Sequence, residues 1–265
     1  MNPTSTTGDK NSYAEVAREI RKTVLSMIYK AQVSHIGSNF SAIDILTVLY
    51  SKADFTKDKL VVSKGWVAAS IYALGVKYGL CPQEAIDTFC DGKSKYIGLI
   101  EPLGFFGAEV AGGSMGLGLP GAVGLALAKK LKGEDGKVYV LMSDGELAIG
   151  TTWESALIAA QHKLDNLVVI VDQNSWQAMG KTEDILKIPH IKVFDDLGWY
   201  SSFCDGHDFK DIEYVLDIEC QNTPVIIKAN TTKGKGVSFM ENNNLFHYKA
   251  PNEEEYKQAL KELNV

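Results

Sequence analysis

KVYVLMSDGE (137–146) and LVVIVDQN (167–174) are the two stretches on which the fold turns. Each is a short run of β-branched and aliphatic residues ending in polar ones, as expected of strands buried on both faces in a parallel sheet. Between them TTWESALIAAQHKLDN (151–166) reads as a helix, so the three pieces form a strand–helix–strand unit. Asp144 and Asn174 are 30 residues apart, about the length such a unit takes up. Both are therefore placed at the carboxyl edge of neighbouring strands, where open α/β sheets bind ligands. A lone Asp-Gly is ordinarily a turn and a lone Asn a cap. A carboxylate and an amide oxygen converging on one edge instead suit a hard cation such as Mg²⁺, which keeps positions open for phosphate. Gly145 allows close backbone approach, and the helix opening near Thr151 aims its positive end at the same region.

Outward from this centre, the alternation continues. KLVVSKG (59–65) reads as a strand followed by a helix near 66–79, and Pro82 opens a short helix over 83–90. GLGLPGAVGLALAKKLKG (116–133) is a Gly-rich turn running into a helix, and PVIIKANTT (224–232) is another strand. Residues 11–33 carry Val16, Ile20, Val24, Met27 and Ile28 at helical spacing, with Asn11 as the expected N-cap. SAIDILTVLYS (41–51) reads as a second helix, capped by Ser41 with Asp44 at its third position. NEEEYKQALKELN (252–264) reads as a surface helix. The expectation is an α/β chain, a three-layer α/β/α sandwich on a mainly parallel sheet. No Pro-, Ser- or Gly-rich linker divides it, so residues 1–265 are expected to form one domain.

Composition narrows the functional class. The chain has 265 residues, 45% hydrophobic and 23% charged, with a net charge of −6. An acidic balance disfavours a nucleic-acid binder. No apolar run is long enough for a membrane helix, and the N-terminus lacks a signal-peptide layout. Cys81, Cys90, Cys204 and Cys220 form no CxxC pair and read as free thiols of a reducing compartment. A cytoplasmic protein is expected.

The stretch DGELAIGTTWESALIAAQHKLDNLVVIVDQNSWQAMG (144–180) resembles the thiamine diphosphate signature of the transketolase family: an Asp-Gly, about 30 residues, then Asn. Further family-like segments follow in order along the chain: SHIGSNFSAIDILTVLY (34–50), KLVVSKGW (59–66), AGGSMGLGLPGAVGLALA (111–128) and NTTKGKGVSFMENNNLFHYKAP (230–251). The resemblance covers nearly the whole chain but only the N-terminal half of a full-length transketolase. It implies the pyrophosphate-binding subunit of a split, two-gene enzyme. A C-terminal partner would supply the pyrimidine-binding half and the glutamate that activates the cofactor, in an α2β2 assembly. The implied cofactors are thiamine diphosphate and Mg²⁺, or Ca²⁺ or Mn²⁺ in its place. The implied reaction moves a two-carbon ketol unit from a ketose to an aldose, either of them a small sugar or sugar phosphate.

Residue by residue, the resemblance makes Asp144 and Asn174 metal ligands through their side chains and Trp176 a ligand through its carbonyl. Gly145 is to give its N–H to the diphosphate, with Glu146 beside it. Gly113, Ser114, Met115 and Gly116 are to line the thiazolium and aminopyrimidine side, with Trp66 also at the cofactor. Glu154 is to join a carboxylate network between paired sites, and His35 and His247 are to serve catalysis by facing the diphosphate or substrate hydroxyls.

Four departures from the family pattern stand out. Trp66 replaces a histidine, and indole has one donor and no acceptor. IEPLGFFGAEVAGG (100–113) carries Phe105 and Phe106 where a histidine is expected. Ile149 replaces a glutamate, and Ile36 replaces a proline. Fewer hydroxyl-reading groups and added aromatics imply an unusual donor: a deoxy or modified sugar, or a short keto acid. The competing readings are the α subunit of a 2-oxo acid dehydrogenase or decarboxylase, which carries a similar metal motif, and a cofactor-binding subunit without activity of its own. His35-Ile36-Gly37, the Lys-Leu-Asp-Asn-Leu run and Lys233-Gly234-Lys235-Gly236 speak against the dehydrogenase reading.

Overall fold

The computed structural model describes residues 12–264. In chain order, α1 (Tyr13–Ala31) and α2 (Ile36–Lys52) lead into β1 (Lys59–Val62), then α3 (Ala68–Lys77) and the short α4 (Glu84–Asp87). After a long loop come α5 (Gly118–Lys132), β2 (Val138–Ser143), α6 (Gly150–Gln161) and β3 (Leu167–Gln173). Two single turns, α7 (Thr182–Ile185) and α8 (Val193–Asp196), precede β4 (Tyr200–Asp205), α9 (Phe209–Leu216), β5 (Val225–Asn230) and α10 (Glu253–Glu262).

The strands form one sheet in the order β1-β2-β3-β5-β4, every pairing parallel. Side chains alternate across it. Val138, Val140 and Met142 of β2 pack with Leu119, Ala122 and Ala156 of α5 and α6. Tyr139 and Leu141 pack on the other face with residues of α1, α2 and α3. Helices therefore cover both faces, which is the three-layer arrangement expected from the strand–helix alternation.

Three expectations are corrected. The N-cap of α1 is Ser12, whose hydroxyl accepts from Glu15 N while Glu15 accepts from Ser12 N at 2.9 Å; Asn11 lies outside the described residues. Helix α2 starts at Ile36, so Ser41 is buried inside it and Asp44 is no N-terminal residue. Helix α2 is enclosed almost all round, and Gly37 and Ser38 supply the small residues its first turn needs. A Cβ on Gly37 would sit 3.1 Å from Lys233 Cγ. The third concerns Phe105 and Phe106, which do not line the edge of the sheet. Phe106 is buried edge-on against Tyr50, whose hydroxyl donates to the Phe106 carbonyl at 2.8 Å, and Phe105 packs on Gly75.

Strand β4 was not anticipated: it carries Ser201 and Ser202, and as an edge strand it is only half buried. The loop between α4 and α5 is fastened to the end of β1. Gly112 donates to the Ile100 carbonyl and Ile100 to the Gly65 carbonyl, both at 3.0 Å. Gly65 and Gly113 meet backbone to backbone; a Cβ on Gly65 would lie 2.4 Å from Gly113 N.

Candidate cofactor site

The strand register puts the key residues at one edge. Ser143 pairs with Asp172, so Asp144 and Asn174 leave adjacent strands together. A 3-10 turn, Asp144–Ala148, follows β2. Asp144 is 1% exposed. Its oxygens accept from Gly145 N at 2.9 Å, Gln173 Nε2 at 3.1 Å and Thr182 Oγ1 at 2.9 Å, all neutral donors. Burial, reinforced by the nearby Asp172 charge, pushes its carboxyl up to about 6. Asn174 is also buried; its Oδ1 accepts from Trp176 N at 3.0 Å. The Trp176 carbonyl receives no hydrogen bond among the described residues. These three oxygens are the ones the sequence reading named as metal ligands.

Two buried lysines flank the edge. Lys64 follows β1 and reaches Asp172 Oδ2 at 2.6 Å and Ser41 Oγ at 3.2 Å. Asp172 also accepts from Ser41 at 2.7 Å and from Thr231. Lys233, fully buried, donates to Asn244 Oδ1 and His247 Nδ1, both at 2.8 Å. Burial and the Lys64 charge lower its ammonium to about 8.

The two histidines of the sequence reading come together although they lie far apart in the chain. His35 and His247 have ring centroids 4.7 Å apart, and His35 N donates to the His247 carbonyl at 2.9 Å. Burial first, then the lysine charges, lower His35 to about 4, and burial, Lys233 and His35 lower His247 to about 3. Both are neutral at neutral pH. Trp66 is 43% exposed and stacks on His35 at 4.5 Å, nearly parallel. Trp66, Phe89, Ile28 and Val33, together with the polar Ser34 and Asn39, line a cavity of about 250 Å³. Phe105 and Phe106, the added aromatics of the sequence, are not among the residues that line it.

Gly113 and Gly116 both have positive φ, +101° and +80°, and carry Ser114 and Met115 outward between them. Met115 Cε and the Gln177 side chain close over Gly145, 3.0 and 3.2 Å from where a Cβ would stand. Glu146 is buried, and both its oxygens are held by protein donors: Gly116 N at 3.1 Å, Ser143 N at 2.7 Å, and the hydroxyls of Ser63 and Ser143. It braces the Gly116 turn. Glu154 lies apart from this cluster, on the exposed side of α6 with Leu157 and Ile158. Ile149 packs on Gly116.

Sequence reasoning passed over Lys64, Lys233, Gln177, Ser41 and Asp172. A signal for the lysines was present: each stands just past a strand end and immediately before a glycine, Lys64-Gly65 and Lys233-Gly234.

A parallel α/β sheet whose carboxyl edge gathers a buried carboxylate, an amide and two buried lysines has the groups suited to a polyanion bound with a metal ion. The family described as "Transketolase, thiamine diphosphate binding domain" matches residues 12–264, and the chain belongs to it. It is 36% identical to one of the subunits of the apulose-4-phosphate transketolase of Actinobacillus succinogenes, over 99% of each chain. It is 32% identical to the 6-deoxy-6-sulfo-D-fructose transketolase subunit SqwG of a Clostridium species, over 93% of this chain and 94% of the relative. The transketolase structure from Campylobacter jejuni superposes with a TM-score of 0.88 at 29% identity, covering 96% of this chain and 43% of that one. The chain spans less than half of that full-length transketolase and corresponds in extent to the two relatives that are themselves subunits of split enzymes.

The residues present fit thiamine diphosphate with a divalent ion. Gln177 Nε2 is buried with no acceptor, directly beside the narrow floor at Gly145. A buried carboxylate with only neutral donors favours a cation beside it, and Asp144, Asn174 and the Trp176 carbonyl offer an all-oxygen set suited to Mg²⁺. Among the described residues no three His, Cys, Asp or Glu side chains cluster as metal ligands, so any ion here would rest on amide and carbonyl oxygens beside Asp144. Among those residues, too, no helix is long and apolar enough to cross a membrane.

Proposed function

We propose that this chain is the diphosphate-binding subunit of a two-chain transketolase that transfers a two-carbon ketol unit from a modified ketose phosphate to an aldose. The observation that carries the reading is the buried Asp144 carboxylate, which accepts only from neutral donors at a strand edge that also gathers the buried Lys64 and Lys233.

Asp144, Asn174 and the Trp176 carbonyl would hold Mg²⁺, or Ca²⁺ or Mn²⁺. Lys64, Lys233 and Gln177 would supply donors to a bound diphosphate, and the Gly145 N–H, which donates to Asp144 Oδ1, would be a further one. Met115, with Gly113, Ser114 and Gly116, would line the ring side of the cofactor, and Glu146 keeps that turn in place. Thiamine diphosphate supplies the nucleophilic carbon and the electron sink when bound. His247 accepts from Lys233 at Nδ1, so its proton sits on Nε2. From there it would donate to a substrate oxygen as a neutral imidazole, and His35 would hydrogen-bond a donor hydroxyl beside it.

Trp66 sets the donor. Its indole occupies the His35 face, where a second imidazole would have read another hydroxyl, and it borders the cavity. A ketose with a deoxygenated, branched or otherwise substituted carbon suits that wall. The names of the two split-enzyme relatives, both acting on modified sugars, support the same class. The exposed Glu154–Leu157–Ile158 side of α6 supports a partner contact, in an α2β2 assembly with the pyrimidine-binding chain.

The test is calorimetric titration of thiamine diphosphate with Mg²⁺ into the chain alone and with the product of the neighbouring gene. Metal-dependent binding strengthened by the partner is expected. A folded chain that binds nothing in either case overturns the reading. Donor assays on the assembled enzyme then follow, and full-rate use of unmodified pentose phosphates would remove the substrate assignment.

A further inference from the structure

His207 and Asp44 belong to neither the metal ligands nor the histidine pair, yet they join a closed network beneath the Lys233 loop. Arg21 grips Asp44 with two bonds of 2.8 Å, and Arg21 Nε donates to the Lys235 carbonyl at 3.1 Å. Asp44 Oδ2 lies 2.7 Å from His207 Nδ1. Thr232 N donates to His207 Nε2 at 2.8 Å. Since Nε2 accepts, the proton of the neutral ring is on Nδ1 and donates to Asp44. Burial opposes the Asp44 charge, but Arg21 and His207 outweigh it and hold the carboxyl below its ordinary range.

The network therefore grasps the backbone on both sides of one residue: Thr232 through His207, and Lys235 through Arg21. Gly234 N, donating to the Gly37 carbonyl at 2.9 Å, ties the same loop to α2. Between these anchors stands Lys233, whose desolvated ammonium is held at its tip by Asn244 and His247 and whose stem starts where the loop places it. Thr231, next to the clamp, is bonded to Asp172, the partner of Lys64.

We infer that Arg21, Asp44 and His207 form a positioning clamp that aims Lys233 into the diphosphate site. The inference rests on the cofactor reading above. His207 is a positioning residue: it touches backbone, and it acts through Lys233.

The two ring nitrogens can be separated by substitution. His207→Gln places an amide oxygen where Nε2 accepted, keeping Thr232 held and losing the Asp44 bond. His207→Asn places an amide N–H where Nδ1 donated, keeping Asp44 and releasing Thr232. Hydrogen exchange of the 231–236 segment in the cofactor-free chain is expected to speed up in H207N and to stay near wild type in H207Q. Inorganic pyrophosphate with Mg²⁺, and thiamine diphosphate with Mg²⁺, are expected to bind H207N about tenfold more weakly, as for other supporting residues, with H207Q rescuing most of the loss. Melting temperatures measured alongside separate this pattern from general destabilisation, which would weaken both variants in step with their stability. Equal exchange and equal affinity in H207N and wild type would overturn the clamp. Nitrogen NMR of the wild-type chain reads the His207 tautomer without any variant; a proton on Nε2 would also overturn it. A wild-type chain with the expected exchange pattern that binds neither pyrophosphate nor thiamine diphosphate would sink the cofactor reading and leave the clamp itself standing.

Discussion

The Lys64 ammonium lies 2.6 Å from the Asp172 carboxylate, and neither side chain reaches solvent beyond 7%. Together with the hydroxyls of Ser41 and Thr231, Lys64 satisfies the negative charge at the end of β3. Asp144, on the neighbouring strand, accepts hydrogen bonds only from neutral donors, with Lys64 and Lys233 acting on it from further off. One buried carboxylate is neutralised within the fold and the other is kept open, a division of roles between like groups set entirely by their surroundings.

Asp144→Asn should therefore act in opposite directions on stability and on binding. A carboxyl displaced from its usual 3.8 to about 6 costs the metal-free fold roughly 3 kcal/mol at neutral pH. The amide removes that cost, so the metal-free variant should melt higher than wild type at pH 7. Metal-dependent binding of thiamine diphosphate should be lost in the same protein. Differential scanning calorimetry and titration on one preparation check both.

The same shift fixes the pH response. Because the folded-state value is raised, the metal-free chain loses stability as pH climbs from about 4 to about 6, while Asp144 ionises in the unfolded chain before the folded one. Mg²⁺ requires the carboxylate, so its affinity should fall about tenfold per pH unit below 6. Melting curves from pH 5 to 8, with and without Mg²⁺, should diverge upward. Curves that run parallel would remove Asp144 from the metal site.

Lys233 gives a proton count. With its ammonium lowered to about 8, it is partly neutral at pH 8.5, and a bound diphosphate should recharge it. Binding at pH 8.5 should take up a proton and at pH 6.5 should not. Calorimetry in two buffers of different ionisation enthalpy measures this, and Lys233→Met should abolish the uptake.

Trp66→His restores a hydrogen-bonding ring against His35. Relative kcat/KM for an unmodified over a modified ketose phosphate should rise by about tenfold or more in the assembled enzyme, since a polar contact to a substrate hydroxyl discriminates strongly. The indole is half exposed, so melting temperature should change little. Competition between two donors in one reaction gives the ratio directly.

Much of this was legible in local sequence. The aliphatic runs of β2 and β3 and the spacing of Asp144 to Asn174 follow from periodicity alone, because buried parallel strands and their crossover have nearly fixed lengths. What escaped was set by partners distant in the chain. Ser41 reads as a cap by its neighbours but is a mid-helix donor to Asp172, 131 residues away. Asp44 reads as a first-turn acid but is claimed by Arg21 and His207. Phe105 and Phe106 sit in a Gly-rich loop, a setting that suggests a site wall, yet Tyr50 and Gly75 draw them into the core. Strand β4 was missed because an edge strand with serines lacks the unbroken apolar run of its neighbours.

Gly65→Ala tests the contact between the loop and the end of β1. Its Cβ would stand 2.4 Å from Gly113 N and 2.6 Å from Gly112 C, backbone atoms that yield only by moving the whole loop. A loss of about 1–3 kcal/mol in stability is expected, together with weaker cofactor binding. Urea unfolding beside titration measures the two losses.

That glycine crossing also governs how such a protein changes its diet. Two main chains in direct touch leave no slack for the loop to swing, lengthen or tilt around a new sugar. Under the proposed function, change would then be confined to single side chains on a rigid rim, with Trp66, stacked on His35, as the one whose replacement would alter what is admitted.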